Sequence, residues 1–232
     1  MPRPVTLLSL VLLASGCASN LLSGDVDGHP FDVVEAVHFE LRGIDQGTSL
    51  PFHDLTVWLM PVADSCAVWP ALISDLTVLR SQLVGGQDPN EFCAEWVARW
   101  DDFLEGAPFF VSQLRLQAEP RGDDVTPDTT YAWLDSAGPV APAAPWFDAT
   151  FAWHEAPDAA ACAAVFAGAD HVPTHFEALG GEVTATSYTV DDAIGGEITV
   201  EIESRGDPVA GRFASTFCPG AGDWPVDAPL RL

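Results

Sequence analysis

Apolar and polar positions alternate in several parts of the chain, and this period of two residues is typical of β-strands. In the first half, the alternation covers Phe31 to Leu41 and the run 55–60, which ends at Pro61. It resumes over 109–116 and again over 147–154. These segments predict strands that are at least partly buried.

The final third of the chain carries the clearest strand signal. Ile198, Val200 and Ile202 are each separated by one polar residue, and glycine-containing turns separate the strand-like segments. The three segments are 181–190, 196–202 and 211–218. Because they follow one another closely in sequence, they predict an antiparallel meander.

Between residues 64 and 106 the apolar spacing changes to three and four, which is the period of a helix. Pro70 interrupts this pattern, so we expect the first helix to begin near it. After Gly85-Gly86, Asp88 is the expected N-cap of a second helix, with Pro89 at its first position. The apolar positions of the two helices are Cys66, Trp69, Leu72, Ile73, Leu76 and Leu79, then Phe92, Trp96, Trp100, Phe103 and Leu104.

Strands on both sides of a helical hairpin predict an α+β fold, mainly antiparallel and sandwich-like, with the hairpin at about 64–106 inserted. Residues 119–146 contain many turn formers and prolines, and they predict a long exposed loop. Residues 159–166 predict a short helix. Because the last strands need partners from the first, we expect residues 29–232 to form a single β-rich domain.

The first sixteen residues have the pattern of a secretory signal peptide. Arg3 is their only charged residue, and an apolar run extends from Val5 to Ala14. This run is too short to span a bilayer, which requires about 20 apolar residues. We therefore expect cleavage after residues 1–16, with Cys17 as the first residue of the exported chain and 17–28 as a tether.

The sequence Leu13-Ala14-Ser15-Gly16-Cys17 resembles the lipobox of bacterial lipoproteins. The best-matching form of that family has leucine three places before the cysteine; here Ala14 stands there and leucine is one place further back. The resemblance implies a diacylglyceryl group on the Cys17 thiol and a third chain on its amino group, which together anchor more firmly than one chain. Since Ala18 rather than aspartate follows the cysteine, it also implies the outer membrane of a two-membrane bacterium.

The C-terminal strands are similar to a pattern in uncharacterised secreted lipoproteins of myxobacteria and their relatives. The similarity covers Gly-Glu-Val-Thr at 181–184, Gly-Glu-Ile-Thr-Val-Glu-Ile at 196–202 and Gly-Arg-Phe-Ala-Ser-Thr-Phe-Cys at 211–218. Near the start, Val-Asp-Gly-His-Pro-Phe at 26–31 is similar to their first strand. The helical hairpin departs from that pattern. The resemblance implies a β-rich envelope protein and transfers no catalytic residue.

Charge excludes one class of partner. The chain has 34 acidic and 9 basic residues, all nine of them arginine, and a formal net charge of −25. Such a surface repels the phosphates of nucleic acids, so we expect no DNA or RNA partner. It suits divalent cations or basic proteins, although solubility in a high-salt or GC-rich organism is the simpler interpretation.

Four cysteines remain after Cys17, and an even number in an exported chain predicts two disulfides. Three connectivities are possible. We expect Cys66–Cys93 and Cys162–Cys218, because each pair falls within its own segment of the chain. A zinc site is the weaker interpretation, since no two of these cysteines have the Cys-x-x-Cys spacing.

No motif identifies a catalytic or metal-binding residue, and we expect no cofactor. The chain has neither a Gly-x-Ser-x-Gly elbow nor a His-Glu-x-x-His helix. The serines nearest histidines have no recognisable frame. His154-Glu155 and His171-x-x-x-His175 are the histidine groupings of the sequence, and Pro173 prevents His171 and His175 from sharing a helical face. The tryptophans at 96 and 100 could line a ligand groove, but their helical spacing favours the core.

Calcium is the metal with most candidate ligands. These are the acidic doublets at 101–102, 123–124 and 191–192, and the segment that begins Asp25-x-Asp27-Gly28. That segment lacks the terminal glutamate of a calcium loop, since Ala36 lies in the expected region. Solvated loops are the simpler interpretation of all four.

The sequence predicts a lipid-anchored envelope protein with a non-enzymatic binding or structural role. The alternative is an exported hydrolase that uses acidic residues, with or without calcium. Expected partners are the membrane, through the anchor, and either a protein or a divalent cation; the sequence does not determine the oligomeric state. Carboxylates and a histidine that converge in a deep cleft favour the enzyme, whereas a closed sheet with dispersed acids favours the binding protein.

Overall fold

The alternating segments of the sequence form β-strands in the computed structural model of the chain. The structure describes residues 21–104, 108–118, 122–134, 145–154, 160, 162, 174–202 and 207–224. Several sequence predictions lie outside the described residues. They are the signal peptide, Cys17 with its lipobox, Glu155, His171 and most of the helix predicted at 159–166.

Most of the described residues lie in strands, and the two predicted helices are present. The strands are β1 (Leu21–Ser23), β2 (Asp25–Val26), β3 (His29–Pro30), β4 (Glu35–Ile44), β5 (Pro51–Met60), β6 (Phe109–Gln117), β7 (Thr129–Trp133), β8 (Trp146–His154), β9 (Thr174–Thr189), β10 (Ala193–Ile202) and β11 (Val209–Phe217). The helices are α1 (Ser65–Val84) and α2 (Pro89–Leu104), and a single 3-10 turn covers Ala221–Asp223. The predicted α+β class, mainly antiparallel and with an inserted helical hairpin, is confirmed.

The large sheet closes on itself. Its strands follow the order β4-β5-β6-β8-β9-β10-β11, with β7 between β8 and β9, and β11 then pairs with β4. This closing pair is parallel and joins Ser215–Phe217 to Ala36–His38. A sandwich is therefore not confirmed, because one mixed sheet forms a ring. Alternation along a strand shows only which face is buried, and it fits both arrangements.

Two hydrophobic cores lie on opposite faces of the ring wall. Alternate residues of β5 belong to different cores: Leu55 and Val57 lie inside the ring, whereas Trp58 packs outside it with the helices. Because both faces are covered, every residue from 55 to 60 is buried, Thr56 included. Trp96 and Trp100 lie in the outer core, which confirms that their stripe packs inside the protein.

The two helices begin differently from one another. Asp88 caps α2 as predicted, since its Oδ1 accepts hydrogen bonds from the backbone N–H groups of Asn90 (2.8 Å) and Glu91 (3.4 Å). These bonds lower the pKa of the Asp88 carboxyl. Helix α1 begins at Ser65 rather than near Pro70, which lies inside it. Its first N–H is bound at 2.6 Å by the Glu35 carboxylate, a distant partner that local sequence does not reveal.

The predicted disulfide pairing is wrong, although all four cysteines are paired. The bonds are Cys66–Cys218 and Cys93–Cys162, with Cα–Cα distances of 5.8 and 5.6 Å. Cys66 is the second residue of α1, whereas Cys93 lies in the first turns of α2, beyond the far end of α1. A helix rises about 1.5 Å per residue, so the length of α1 separates these two cysteines by far more than a disulfide spans. Each cysteine therefore bonds to a later part of the chain.

The predicted tether is too long, because the fold already includes residues 21–28. Leu22 and Val26 are buried in the inner core, and β1 pairs with β11. Asp27 and Gly28 have positive φ angles of 55° and 83° and form the hairpin turn between β2 and β3. Their segment is thus a tight hairpin turn, with the Gly28 N–H bound to the Asp25 carboxylate at 2.6 Å.

The predicted exposed loop at 119–146 also contains structure. Strand β7 pairs with β9 and β8, and Val125 and Tyr131 belong to the inner core. The strand contains only five residues and lies among turn-forming residues, so the sequence pattern does not indicate it. None of the helices in the described ranges is both long and apolar enough to span a lipid bilayer.

Candidate functional site

A group of polar side chains occupies one end of the ring. Glu40, Arg42, His53, Asp124 and Tyr188, which we call the Glu40 cluster, are joined by hydrogen bonds and ion pairs. Ala36, Glu40 and Arg42 are separated by even numbers of residues along β4 and therefore share one face of the strand. Because Ala36 belongs to the inner core, Glu40 and Arg42 also face inward. The Glu40 side chain is only 2% exposed. A carboxylate this deeply buried requires compensating partners.

Both carboxylate oxygens of Glu40 are bound by protein groups. Oε1 accepts a hydrogen bond from the Tyr188 hydroxyl at 2.9 Å. Oε2 accepts one from Arg42 Nη2 at 2.8 Å and lies 3.1 Å from His53 Nε2. Arg42 also pairs with Asp124, which ties the loop before β7 to β4. The cluster thus links four separate segments of the chain.

His38 and Ser215 extend this polar group to the closing pair of strands. His38 Nδ1 lies 3.1 Å from Ser215 Oγ, and Ser215 Oγ also donates to the carbonyl of Ile194 at 3.3 Å. The other nitrogen of the His38 imidazole, Nε2, lies 4.0 Å from Glu40 Oε1. Serine, histidine and carboxylate are the residue types of a catalytic triad. Here, however, Ser215 is 2% exposed and His38 is 0% exposed, so they connect strands inside the protein.

The pKa values of the buried groups follow from burial and from their partners. Burial alone would raise the pKa of Glu40, but the hydrogen bonds from Arg42 and Tyr188 outweigh it and hold the pKa below its ordinary value. Burial lowers the pKa of His38, and the nearby Glu40 charge offsets only part of that effect. Burial and the bond to Glu40 raise the pKa of the Tyr188 hydroxyl. At neutral pH the histidine is therefore neutral and Glu40 is charged.

These two shifts predict that acid destabilises the fold. A group whose pKa is lower in the folded state binds more protons after unfolding, so stability is lost as pH falls. The loss of stability due to His38 should begin as the pH falls below 6.5, the ordinary pKa of histidine. The loss due to Glu40 should follow below pH 4.5, the ordinary pKa of glutamate. Urea unfolding between pH 7.5 and pH 4 measures it, on a scale of about 1.4 kcal/mol per pKa unit.

The matched control for this pH profile is His38→Gln. This variant removes the titrating ring and should flatten the profile between pH 6.5 and pH 5 while leaving the steeper loss at lower pH. A wild-type stability that stays constant or rises as pH falls from 7 to 5 contradicts the prediction.

A second polar group lies on the outer face of the ring. Asp54 accepts hydrogen bonds from Arg115 at 2.8 Å and from Gln117 at 2.7 Å, and the Arg115 guanidinium lies 5.7 Å from the ring centre of Trp146. Burial raises the pKa of Asp148, and the positive charge of Arg115 partly offsets that rise. Because each oxygen of Asp54 accepts a hydrogen bond from a neighbouring strand, this group stabilises the wall.

The structure separates most of the residues that the sequence offered as metal ligands. The doublet at 101–102 is exposed on α2, and His175 is exposed on β9, whereas His154 is buried. The doublets at 123–124 and 191–192 lie near the polar end of the ring. The Asp123 carbonyl lies 2.9 Å from His53 Nδ1, and the charges of the doublet at 191–192 oppose the lowering of the His38 pKa. In the described ranges, no three histidine, cysteine or acidic residues are placed to hold a metal ion.

Sequence reasoning missed the Glu40 cluster. The signal was present in β4, where His38, Glu40 and Arg42 continue the inward face that Ala36 begins. Charged residues at inward positions of a strand indicate a buried network, provided that the inward face is known. The period of two does not by itself identify that face.

Comparisons with protein-family models, with curated proteins and with solved structures find no match to this chain. Its function is therefore argued from its own residues.

Proposed function

We propose that the chain is a lipid-anchored envelope protein with a non-enzymatic binding or structural role. The observation that carries this proposal is the burial of the reactive side chains. A hydrolase needs its nucleophile and base within reach of the substrate. Ser215 and His38 are shielded inside the ring, and both oxygens of Glu40 are bound by protein donors. These contacts favour a supporting role over the alternative, an exported hydrolase.

The covalent structure supports the exported location. Two disulfides join distant parts of the chain, and such bonds are typical of oxidising compartments outside the cytosol. The predicted leader, residues 1–16, supplies a route of export, and Cys17, which follows it, supplies a place for lipid. A folded domain that is attached in this way needs no membrane-spanning segment, since the acyl chains on Cys17 would hold it at the outer membrane.

The distribution of charge supports binding rather than catalysis. Acidic side chains are spread over the helices and the outer wall, as at Asp75, Asp101, Asp148 and Glu197. The net charge of −25 favours a basic protein or a divalent cation as the soluble partner. Among the described residues, no three acidic, histidine or cysteine side chains are placed to hold a metal ion.

Lipid attachment is the part of the proposal that is tested most directly. Mass spectrometry of the membrane-extracted protein should identify acylated Cys17 as the first residue, and the protein should enter the detergent phase of a phase separation. Cys17→Ser should remain an unprocessed precursor or leave the detergent phase, because it lacks the thiol that carries the lipid.

Ser19→Ala is the matched control for that experiment, since it changes a nearby residue and keeps the thiol. It should be acylated and should partition like the wild type. Mature protein that retains Met1, or a Cys17→Ser variant with unchanged partitioning, contradicts lipid anchoring.

A further inference from the structure

We infer that the part of the ring formed by β1 and β11, which we call the anchor wall, faces the phospholipid surface and contacts its headgroups. The anchor wall comprises Leu21–Ser23 and Val209–Phe217. This inference rests on the proposed lipid on Cys17. It adds an orientation that lipid attachment alone does not specify.

The first step is the reach of the chain before β1. Cys17 precedes Leu21 by four positions, and an extended chain covers at most about 3.6 Å per residue, so the lipid-bearing residue lies within about 14 Å of Leu21. A chain of about 200 residues folds to a body roughly 35–40 Å across. The connection is therefore shorter than the domain. The side of the ring that carries β1 must stay near the membrane.

The second step is that β1 is fixed in place. It pairs with β11 in antiparallel register, Leu21 opposite Arg212 and Ser23 opposite Ala210, and Leu22 is buried in the inner core. Phe31 N–H donates to the carbonyl of Gly24 at 3.2 Å, which holds the segment that follows β1. The point at which the chain leaves the fold toward Cys17 therefore belongs to the wall itself.

The third step is charge. Although the whole chain has 34 acidic residues, neither β1 nor β11 contains one. Their one charged residue is Arg212, whose side chain is 73% exposed and bonded at 2.9 Å to Glu197, which is 52% exposed. An exposed pair of this kind is weak, and guanidinium binds phosphate well. Strands that carry an arginine and no acid of their own are suited to anionic headgroups, once Arg212 exchanges Glu197 for a phosphate.

The opposite side of the ring has a different character. Strands β6 and β8 are three places from β11 in either direction around the ring. That region carries Asp54, Asp148 and Glu177 around Arg115. Acids repel the anionic surface of a phospholipid bilayer. Charge and tether length thus select the same orientation.

Fluorescence quenching in vesicles tests this orientation. The lipidated protein, with its disulfides intact, would carry a fluorophore on a single added cysteine, Thr216→Cys on the anchor wall or Glu177→Cys near β8; both positions are exposed. Vesicles would contain phosphatidylethanolamine, phosphatidylglycerol and a headgroup spin-labelled lipid that quenches over a short range. We expect most of the emission to be lost at position 216 and little at position 177.

Two further variants and a flotation assay complete the design. Arg212→Glu should reduce the loss of emission at 216, whereas Arg99→Glu, which changes an exposed arginine of α2, should not. Equal quenching at both positions, or stronger quenching at 177, in protein that floats with the vesicles overturns the orientation alone. Acylated protein is required to float; a protein that is not acylated and does not float overturns the proposed anchoring and the orientation with it.

Discussion

Removing the Cys66–Cys218 disulfide by the paired substitutions Cys66→Ala and Cys218→Ala should lower the free energy of unfolding by about 5 kcal/mol. The bond links residues 152 positions apart, and the loss of conformational entropy in the unfolded chain grows with the size of the loop that a disulfide closes. It also holds the end of β11 beside α1, where the Cys218 N–H donates to the carbonyl of His38 at 2.7 Å. We therefore expect a lower free energy of unfolding for the whole domain, with the greatest loss of local order at the pair of strands β11 and β4.

The second disulfide provides the matched comparison. Cys93→Ala with Cys162→Ala opens a loop of 69 positions and should cost about 4 kcal/mol in the same urea titration. Hydrogen exchange should distinguish the two variants, with protection at Thr216–Cys218 falling more in the first. A larger loss for the 93–162 variant, or peptide mapping that joins Cys66 to Cys93, contradicts the connectivity.

Glu40→Gln should lower the free energy of unfolding by about 2–4 kcal/mol, because it leaves charged and hydroxyl donors without their carboxylate. Arg42, His53 and Tyr188 all contact Glu40. The value is set below that of a fully buried ion pair because water reaches the Arg42 side chain, which is 42% exposed. Urea unfolding at pH 7.5 measures the change.

Glu197→Gln is the control for that variant. It removes an equally charged carboxylate from an exposed pair with Arg212, which is worth at most about 1 kcal/mol. Equal losses for Glu40→Gln and Glu197→Gln would show that the Glu40 cluster contributes no more than a surface ion pair.

Local features of the fold could be predicted from the sequence. The C-terminal strands, the helical hairpin and the Asp88 cap depend on residues within a few positions of one another. Strand and helix periods and capping are determined at this range. The same reasoning placed Trp96 and Trp100 in the core, because their spacing is that of one helical face.

Features that join distant segments could not be predicted in this way. The ring closes where residues 36–38 meet residues 215–217, and nothing near either segment indicates the other. Closeness in sequence does not predict the disulfide pairing, because α1 carries its two ends apart and each cysteine of the hairpin bonds to a distant segment.

The Glu40 cluster was missed for a related reason. Its members come from β4, β5, the loop before β7 and the end of β9. Taken singly, each is a residue type that is common on protein surfaces. Only the closed sheet brings Glu40 and Tyr188 within hydrogen-bonding distance, and so only the three-dimensional structure reveals the network.

The parallel contact between β11 and β4 determines when folding can be completed. His38 and its partner Ser215 are 177 positions apart, so β4 remains without this neighbour until residues 215–217 have been synthesised. Contacts of such long range form slowly, and an unpaired strand edge is prone to aggregation in the meantime. We therefore expect the growing chain to depend on a chaperone during this interval, and truncation before β11 to leave an open sheet that aggregates.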